Sequence, residues 1–215
     1  FDTVASVIEP GPGILPQLKH HASTSRNPGV ESVRHAVALD ERRRMFRALL
    51  WPNDQVYHQN PFATDKAVPQ DALEVWFNGS HGDVGGGYKE DQSGLAKIPL
   101  QWMIEEAREI GLEFVSQTVN RIVLGTNPEK PYSQPDALAD RHTSMNLAWK
   151  VLEYVPLPTK RDGMSRIGMT KERPRIVPVG ARIHASVVAR AKEKGGLEAH
   201  VPKDHRTEGD PKDWI

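Results

Sequence analysis

The chain has 215 residues, enough to bury one sizeable hydrophobic core or one core with an appendage. Its 28 basic and 28 acidic residues balance, so the chain as a whole is not drawn to nucleic acid or to an anionic membrane. It has no cysteine, which excludes a thiol nucleophile, a disulfide scaffold and a thiolate zinc site. No apolar stretch reaches the roughly 18 to 20 residues that a transmembrane helix needs, so we expect a soluble or at most peripheral protein. The sequence leaves its compartment open, since both a cytoplasmic protein and one secreted by a non-classical route fit.

The first part of the chain predicts a strand end, a loop and a helix. Residues 1–4 resemble the end of a strand rather than the start of a protein, so we expect a segment to precede them. Prolines and glycines over residues 10–16 predict a loop. Apolar residues at helical spacing predict a helix over residues 30–39; they are Val30, Val33 and Val37. The charged run 40–44 is interpreted as a solvated face or as an anchor for an anionic head group, and a polar connection over 53–71 follows.

The central stretch contains a strand, a glycine-rich turn and a helix in succession. The β-branched and aromatic run Val75–Phe77 predicts a buried strand. In the turn after it, His81 and Asp83 stand among five glycines: Gly79, Gly82, Gly85, Gly86 and Gly87. Three glycines in succession indicate a backbone without side chains, which another group can approach closely. A helix is predicted over 95–107, with Gly111 as its stop. This order is common in α/β enzymes, which present side chains at the carboxyl edge of a sheet.

The rest of the chain is richer in proline and predicts an irregular, partly helical cap or extension. The clearest helix is predicted over 140–154 and a second one over 186–194. The tail 202–215 is charged and contains proline, so we expect it to be frayed. The resulting division is a core of residues 1–112, a cap or carboxyl-terminal extension of residues 113–200 and a flexible tail of residues 201–215.

His81 is the strongest candidate for a catalytic side chain. A histidine directly beyond a strand in a glycine-rich turn is accessible, and an imidazole exchanges protons near neutral pH, which suits a general base. Asp2 follows the apparent strand end at the front of the chain. If that strand neighbours 73–77 and the predicted helix 30–39 crosses between them, Asp2 and His81 share the carboxyl edge of one sheet. The carboxylate could then hold the imidazole tautomer, although an aspartate that caps a turn fits the spacing equally well.

Asp83 and the glycines 85–87 allow more than one interpretation. Asp83 orients the loop by accepting backbone N–H groups, or it joins Asp2 and His81 as a ligand of a metal ion. The glycines shape the loop or form an anion-binding nest for a substrate group. Neither a phosphate-binding Gly-Lys-Ser/Thr motif nor a dinucleotide-binding glycine pattern is present. A serine elbow of the Gly-x-Ser-x-Gly type is also absent, since the nearest match, residues 163–168, comes after the histidine and lacks the tight glycine spacing.

Several segments resemble one known family. They are Phe1–Val4, Arg34–Arg43, Leu50–Trp51, Glu74–Tyr88 and Ile98–Ala107. In these segments the sequence is similar to the second half of the α/β-hydrolase domain found in type VI secretion phospholipase effectors and their many uncharacterised relatives. The resemblance is close over residues 1–112, and Arg182–Val187 extends it loosely to about residue 190.

The resemblance implies an α/β protein built from the last strands and helices of an α/β-hydrolase sheet. It also implies a Ser-Asp-His triad in which Asp2 matches the acid and His81 the histidine. The family's nucleophile, in a Gly-Phe-Ser-Arg-Gly type of elbow, is expected upstream of Asp2, in a missing amino-terminal half of the protein or in a second chain. This chain alone is therefore expected to be inactive. Asn78 departs from the family, in which proline is common at this position.

The activity implied by the resemblance is hydrolysis of carboxylic esters, with phospholipid or another acyl lipid as substrate and with no metal or organic cofactor. Two other functions remain open. One is a non-catalytic, hydrolase-like module that binds a partner or a lipid without the serine. The other is a metal-dependent hydrolase that uses Asp2, His81 and Asp83 and loses its activity to a chelator.

Overall fold

A computed structural model of the chain has an α/β fold with a parallel central sheet. Its strands are, in chain order, β1 (Ser6–Glu9), β2 (Gln17–His20), β3 (Ser32–Ala38), β4 (Val56–Tyr57), β5 (Val68–Pro69), β6 (Asp71–Phe77), β7 (Leu157–Arg161), β8 (Met164–Gly168), β9 (Arg182–His184) and β10 (Arg206–Glu208). Its helices are α1 (His81–Gly85), α2 (Gly94–Glu109), α3 (Ser116–Ile122), α4 (Leu147–Tyr154) and α5 (Ala185–Lys194), and 3-10 turns cover Arg44–Phe46, Glu90–Gln92 and Pro211–Trp214. The structure describes residues 1–4, 6–9, 17–20, 26–60, 62, 66–127, 129, 132–154, 157–161, 164–169 and 171–214.

The central sheet has the strand order β10-β9-β6-β3, and these neighbours pair in parallel. β3 and β6 pair over their whole length, from Ser32 beside Asp71 to Ala38 beside Phe77. Both strands end in buried apolar residues, which are Ala36, Val37 and Ala38 in β3 and Val75, Trp76 and Phe77 in β6. Such continuous apolar runs are typical of parallel strands that are covered on both faces. Because the two strands are in register, their carboxyl ends lie side by side.

The hydrophobic core lies on both faces of the sheet, since successive side chains of a strand point to opposite faces. On one face, Phe77 of β6 packs against Trp102 of α2, with ring centroids 5.5 Å apart. On the other face, Trp76 belongs to a cluster that includes Val187 of α5. Full burial of a side chain such as Phe77 stabilises the fold by about 2 kcal/mol. The strands that carry the turn at residues 78–83 are thus firmly held.

The predicted helix over 30–39 is wrong, because Ser32–Ala38 is the strand β3. A short apolar run that is buried on both faces gives no clear strand alternation, so its valines also fit a helical spacing. Pairing with β6 decides the outcome, and that partner lies outside any local window of sequence. The helix predicted over 140–154 is shorter than expected: α4 begins at Leu147, and residues 140–146 are not helical.

The predicted helices over 95–107 and 186–194 are confirmed as α2 and α5. Gly111 follows α2 with a φ of +95°, in the left-handed region that favours glycine and ends helices. His184 caps α5, since its Nδ1 accepts the backbone N–H of Ser186 at 3.3 Å. Burial lowers the pKa of His184 to about 3, so this imidazole is a neutral part of the core.

The structure differs from the expected frayed tail. β10 pairs with β9 and forms an outer strand of the central sheet. The turn Pro211–Trp214 follows, and the Trp214 ring lies edge-on to His184 with centroids 5.0 Å apart. Parallel pairing and an aromatic contact therefore hold residues that local composition marks as mobile. The central sheet accordingly includes two strands from beyond residue 112.

Smaller antiparallel pairs lie outside the central sheet: β1 with β2, β4 with β5 and β7 with β8. The loop predicted over 10–16 lies outside the described residues. Residues 1–3 are not part of a strand in this structure, and Val4 makes an isolated antiparallel bridge with Ala48. Within the described ranges, no helix combines the length and the apolar character that are needed to span a membrane.

Candidate active site

The carboxyl ends of β3 and β6 are joined by a hydrogen-bonded turn. The backbone N–H of Asp40 donates to the carbonyl of Gly79 at 2.9 Å, and the Gly79 N–H donates to the Asp40 carboxylate at 2.7 Å. Gly79 has a φ of +100°, and a Cβ at this position would lie 2.3 Å from the Cβ of Asp83. Only glycine fits both conditions. The turn therefore fixes the position of the residues that follow β6.

His81 is the first residue of the helix α1, so the predicted glycine-rich turn is partly helical. Asp83 accepts the backbone N–H of Ser80 at 2.8 Å and its hydroxyl at 3.0 Å. These bonds fix the first turn of the helix, in the manner of a carboxylate near a helix amino terminus. They agree with the interpretation of Asp83 as a residue that orients the loop.

His81 and Asp2 meet at this edge of the sheet, with 2.6 Å between Nδ1 of the imidazole and Oδ2 of the carboxylate. The Asp2 side chain is fully buried, whereas 31% of the His81 side chain is exposed. Among the residues that the structure describes, Nε2 of His81 has no hydrogen-bond partner. An imidazole that donates its Nδ1–H to a carboxylate presents an unprotonated Nε2, which can accept a proton.

Asp2 reaches this position by a different route from the predicted one. Its backbone N–H donates to the carbonyl of Ala36 at 2.6 Å, and its Oδ1 accepts the N–H of Ala38 at 2.9 Å. Residue 2 thus lies along β3, and β3 is the strand that pairs with β6. A strand therefore stands where a crossing helix was expected. The two side chains meet because β3 and β6 end in the same register.

Arg175 is a third member of this cluster, which sequence reasoning misses. Its guanidinium donates to both carboxylate oxygens of Asp2, from Nη1 to Oδ1 and from Nη2 to Oδ2, the latter at 2.9 Å. It also donates to the backbone carbonyls of Ala38 and Phe46. The side chain of Arg175 is only 6% exposed. No local pattern could have identified it, because Asp2 lies 173 residues earlier in the chain.

The surroundings of Asp2 favour its charged form. Burial by itself raises the pKa of a carboxyl group, because it removes solvating water. Hydrogen bonds from His81 and Arg175, the positive charge of Arg175 and the N–H of Ala38 outweigh burial and lower the pKa of Asp2 from 3.8 to about 2. Asp2 is therefore a carboxylate at neutral pH, and it can stabilise a positive charge that forms on His81.

Residues 1–106 match the family model described as T6SS, phospholipase effector Tle1-like, catalytic domain. This part of the chain is similar to the catalytic domain of the Tle1-like family. An uncharacterized protein of Saccharomyces cerevisiae, YEL023C, is 40% identical over 47 residues, which make up 20% of this chain and 7% of that protein. No solved structure matches the chain.

The Tle1-like match confirms the family resemblance seen in the sequence. The family's description is that of phospholipase effectors. The matched residues include Asp2, His81 and Asp83. Arg175, which contacts Asp2, lies beyond the Tle1-like residues.

A second histidine–aspartate pair lies next to the pair of His81 and Asp2. Nδ1 of His142 lies 2.6 Å from Oδ1 of Asp83, and the ring of His142 stacks on Tyr88 with centroids 3.7 Å apart. Asp83 therefore bonds to His142 and Ser80, whereas the expected metal site needs it beside Asp2 and His81. Within the part of the chain that the structure describes, no group of three or more histidines and carboxylates is arranged to hold a metal ion.

Glu41 holds the backbone of His81. Its buried carboxylate accepts the backbone N–H of His81 and the hydroxyl of Ser144, each at 3.1 Å. Arg43 donates to the two Glu41 oxygens from Nε at 2.9 Å and from Nη2 at 2.8 Å. Burial raises the pKa of Glu41, but the bonds and charge of Arg43 outweigh it and lower the pKa below its usual value. The charged run 40–44 thus contains a buried ion pair, which a fully solvated face would not have.

Aromatic side chains lie beside the His81 ring. Phe46 is edge-on to His81, with centroids 5.1 Å apart, and Trp149 of α4 is edge-on to Phe46 at 5.6 Å. The guanidinium carbon of Arg43 lies 3.6 Å from the centroid of the Phe46 ring. The surface next to His81 therefore combines apolar rings with one cation.

The glycines Gly85, Gly86 and Gly87 lie at the end of α1 and just after it. Gly86 and Gly87 have φ values of +82° and +118°, which favour glycine. A Cβ added at any of the three would meet no heavy atom within 4 Å. Backbone conformation thus accounts for Gly86 and Gly87, and the expected role of the three glycines in binding substrate stays a prediction.

Proposed function

We propose that this chain supplies the histidine and the acid of a hydrolase that cleaves carboxylic esters of phospholipid or another acyl lipid, on part of an α/β-hydrolase sheet. The observation that carries the proposal is the 2.6 Å contact between Nδ1 of His81 and Oδ2 of Asp2. It lies at the carboxyl ends of parallel strands, where α/β enzymes have their active sites. The Tle1-like match over residues 1–106 supports lipid as the substrate class.

The proposed nucleophile is a serine from outside this sequence, because no Gly-x-Ser-x-Gly elbow occurs in it. As the serine oxygen bonds to the ester carbonyl carbon, Nε2 of His81 takes the serine proton, and Asp2 stabilises the imidazolium. His81 then gives this proton to the departing alcohol, and an acyl-serine remains. In the second half of the reaction, His81 takes a proton from the attacking water and returns it to the serine, so that the fatty acid is released.

The surroundings of His81 support an apolar acyl substrate. The ring of Phe46 lies next to the imidazole, and Trp149 of α4 packs edge-on against Phe46. Aromatic side chains beside a polar reaction centre are typical of sites that bind lipid or another apolar ligand.

His81→Ala tests the proposal in the complete protein that joins this chain to its serine. We expect ester hydrolysis to fall by about 10⁴-fold, because a triad without its base retains only binding and oxyanion stabilisation. The fold should persist, since the His81 side chain is partly exposed. His205→Ala changes a histidine next to β10, at the opposite edge of the sheet, and should leave hydrolysis unchanged. A folded His81→Ala protein with full activity would refute the proposed role.

A fluorophosphonate probe, which reacts with activated serines, tests the origin of the nucleophile. We expect the complete protein to be labelled and this chain alone to remain unlabelled. Hydrolysis that a chelator abolishes would favour a metal-dependent enzyme instead. A complete protein that is neither labelled nor active on esters would favour a non-catalytic binding module.

A further inference from the structure

Arg175 donates hydrogen bonds to both oxygens of the Asp2 carboxylate and to backbone carbonyls around it. Nη1 donates to Oδ1 of Asp2 and to the carbonyl of Ala38 at 2.9 Å. Nη2 donates to Oδ2 of Asp2 at 2.9 Å and to the carbonyl of Phe46, which also accepts from Nε at 3.1 Å. All three guanidinium nitrogens are thus in use, and the planar fork of an arginine matches a carboxylate in this bidentate way.

Asp2 has a conformation that needs such support. Its φ is +40°, in the left-handed region that non-glycine residues rarely adopt. Its Oδ2 accepts from two donors, Nδ1 of His81 at 2.6 Å and Nη2 of Arg175. Its Oδ1 accepts from the N–H of Ala38 at 2.9 Å and from Nη1 of Arg175. Arg175 binds both oxygens, so it fixes the rotation of the Asp2 carboxylate about the Cβ–Cγ bond.

We propose that Arg175 is a positioning residue: it holds the Asp2 carboxylate with Oδ2 toward Nδ1 of His81 and thereby keeps the imidazole in the tautomer that leaves Nε2 unprotonated. Arg175 does not face the reacting atoms, because Asp2 and His81 lie between. The contribution of Arg175 to catalysis rests on the function proposed above, whereas its effect on the His81 tautomer can be measured without that function. It also links the Tle1-like residues 1–106 to the carboxyl-terminal half of the chain.

Arg175→Lys tests this role, because it keeps the positive charge and removes the fork. One ammonium group cannot bridge both Asp2 oxygens and also reach two carbonyls. Nuclear magnetic resonance of the ¹⁵N-labelled chain at alkaline pH reports the His81 tautomer and the exchange of its Nδ1 proton with water. In the unaltered chain we expect one tautomer with a protected Nδ1–H. In Arg175→Lys we expect a mixture of tautomers and proton exchange about tenfold faster or more.

Arg34→Lys is the matched control. Arg34 also bonds two carboxylates, Asp71 at 2.7 Å and Glu106 at 2.5 Å, but it lies toward the amino ends of β3 and β6. The Arg34→Lys substitution should leave the His81 signals unchanged. If Arg175 had only a structural role, both variants would be less stable and neither would change the His81 tautomer. A folded Arg175→Lys protein whose His81 signals match those of the unaltered chain would therefore overturn the proposal.

If Arg175→Lys does not fold, the unaltered chain gives the answer. A guanidinium held at all three nitrogens rotates slowly, and its Nη protons are expected to give separate signals. A single averaged Nη signal from Arg175 would overturn the proposal. These measurements need no ester hydrolysis, so they can succeed where His81→Ala fails to affect activity, and the two proposals can be judged separately.

Discussion

At the scale of single residues, two histidine–carboxylate pairs of this sheet differ in one decisive respect. Nδ1 of His35 lies 2.6 Å from Oε2 of Glu74, the same separation as between His81 and Asp2. His35 is buried, and its Nε2 accepts the N–H of Thr3 at 3.0 Å, so both of its nitrogens are used in the structure. Nε2 of His81 has no such partner among the described residues. A free second nitrogen, more than the contact with an acid, therefore distinguishes His81 from His35 as a candidate base.

Asp2→Asn should change how stability depends on pH. The pKa of Asp2 in the folded state, about 2, lies below the ordinary value of 3.8. The charged carboxylate therefore stabilises the fold above pH 3.8, and this contribution is lost as the pH falls through 2. It corresponds to about 2 kcal/mol. We expect the variant to be less stable at neutral pH by about this amount, with a difference that shrinks in acid, as measured by urea unfolding at several pH values.

Asp54→Asn is the control for this measurement, since Asp54 lies exposed in a turn. Its substitution should change the free energy of unfolding little at any pH. If Asp2→Asn differed from the unaltered protein by the same amount at neutral and at acid pH, the low pKa of Asp2 and its electrostatic cause would be wrong.

At the scale of elements, the turn between β6 and α1 determines where His81 lies. The turn is held by Asp40 from the end of β3 and by Asp83 from the first turn of the helix. Glu41 fixes the backbone N–H of His81 itself. The imidazole thus sits on a short helix whose start is anchored to both strands, so its direction is set by the sheet and not by loop flexibility.

Gly79→Ala and Gly85→Ala form a matched pair for testing this turn. In Gly79→Ala the new methyl group would meet Asp83 at 2.3 Å with an unfavourable φ of +100°, so we expect a loss of about 2 kcal/mol or more. In Gly85→Ala the methyl group would meet nothing within 4 Å, and alanine suits a helix, so stability should change by less than about 1 kcal/mol. Urea unfolding of both variants measures the difference, and equal stabilities would contradict the described turn.

At the scale of the whole molecule, the site draws on distant parts of one chain. Asp2 comes from the front, His81 follows β6, and Arg175 reaches Asp2 from the segment before β9. β9 pairs with β6, and β10 continues the sheet beyond β9. The carboxyl-terminal part therefore supports the same strands that carry the site.

Trp214→Ala tests whether the end of the chain contributes to the core. Trp214 packs against the α2 side of the core and lies edge-on to His184, so we expect its removal to lower the free energy of unfolding by about 2 kcal/mol. Phe62→Ala is the control, because Phe62 is 96% exposed and its loss should cost less than about 0.5 kcal/mol. A frayed tail predicts no loss for either variant, and that outcome would contradict the structure described for residues 206–214.

Sequence reasoning succeeded where the signal was local. The strand at Val75–Phe77, the helix α2 and the helix α5 follow from short runs of residue types and their spacing. The positions of His81 and Asp2 beside apolar runs, together with the family resemblance, mark them as candidates. The local pattern of β3 predicts a helix instead of a strand, because its partner β6 is not in that pattern.

Residue type and immediate neighbours are enough to show which side chains of this protein can exchange a proton or hold a charge. Which of these side chains meet depends on how the chain folds. Asp2 could pair with His81, and Arg175 with Asp2, only after parallel strands had been brought into register and the segment before β9 had folded back. The physical reason is that a hydrogen bond needs donor and acceptor within about 3 Å, and separation along the chain carries no information about that distance.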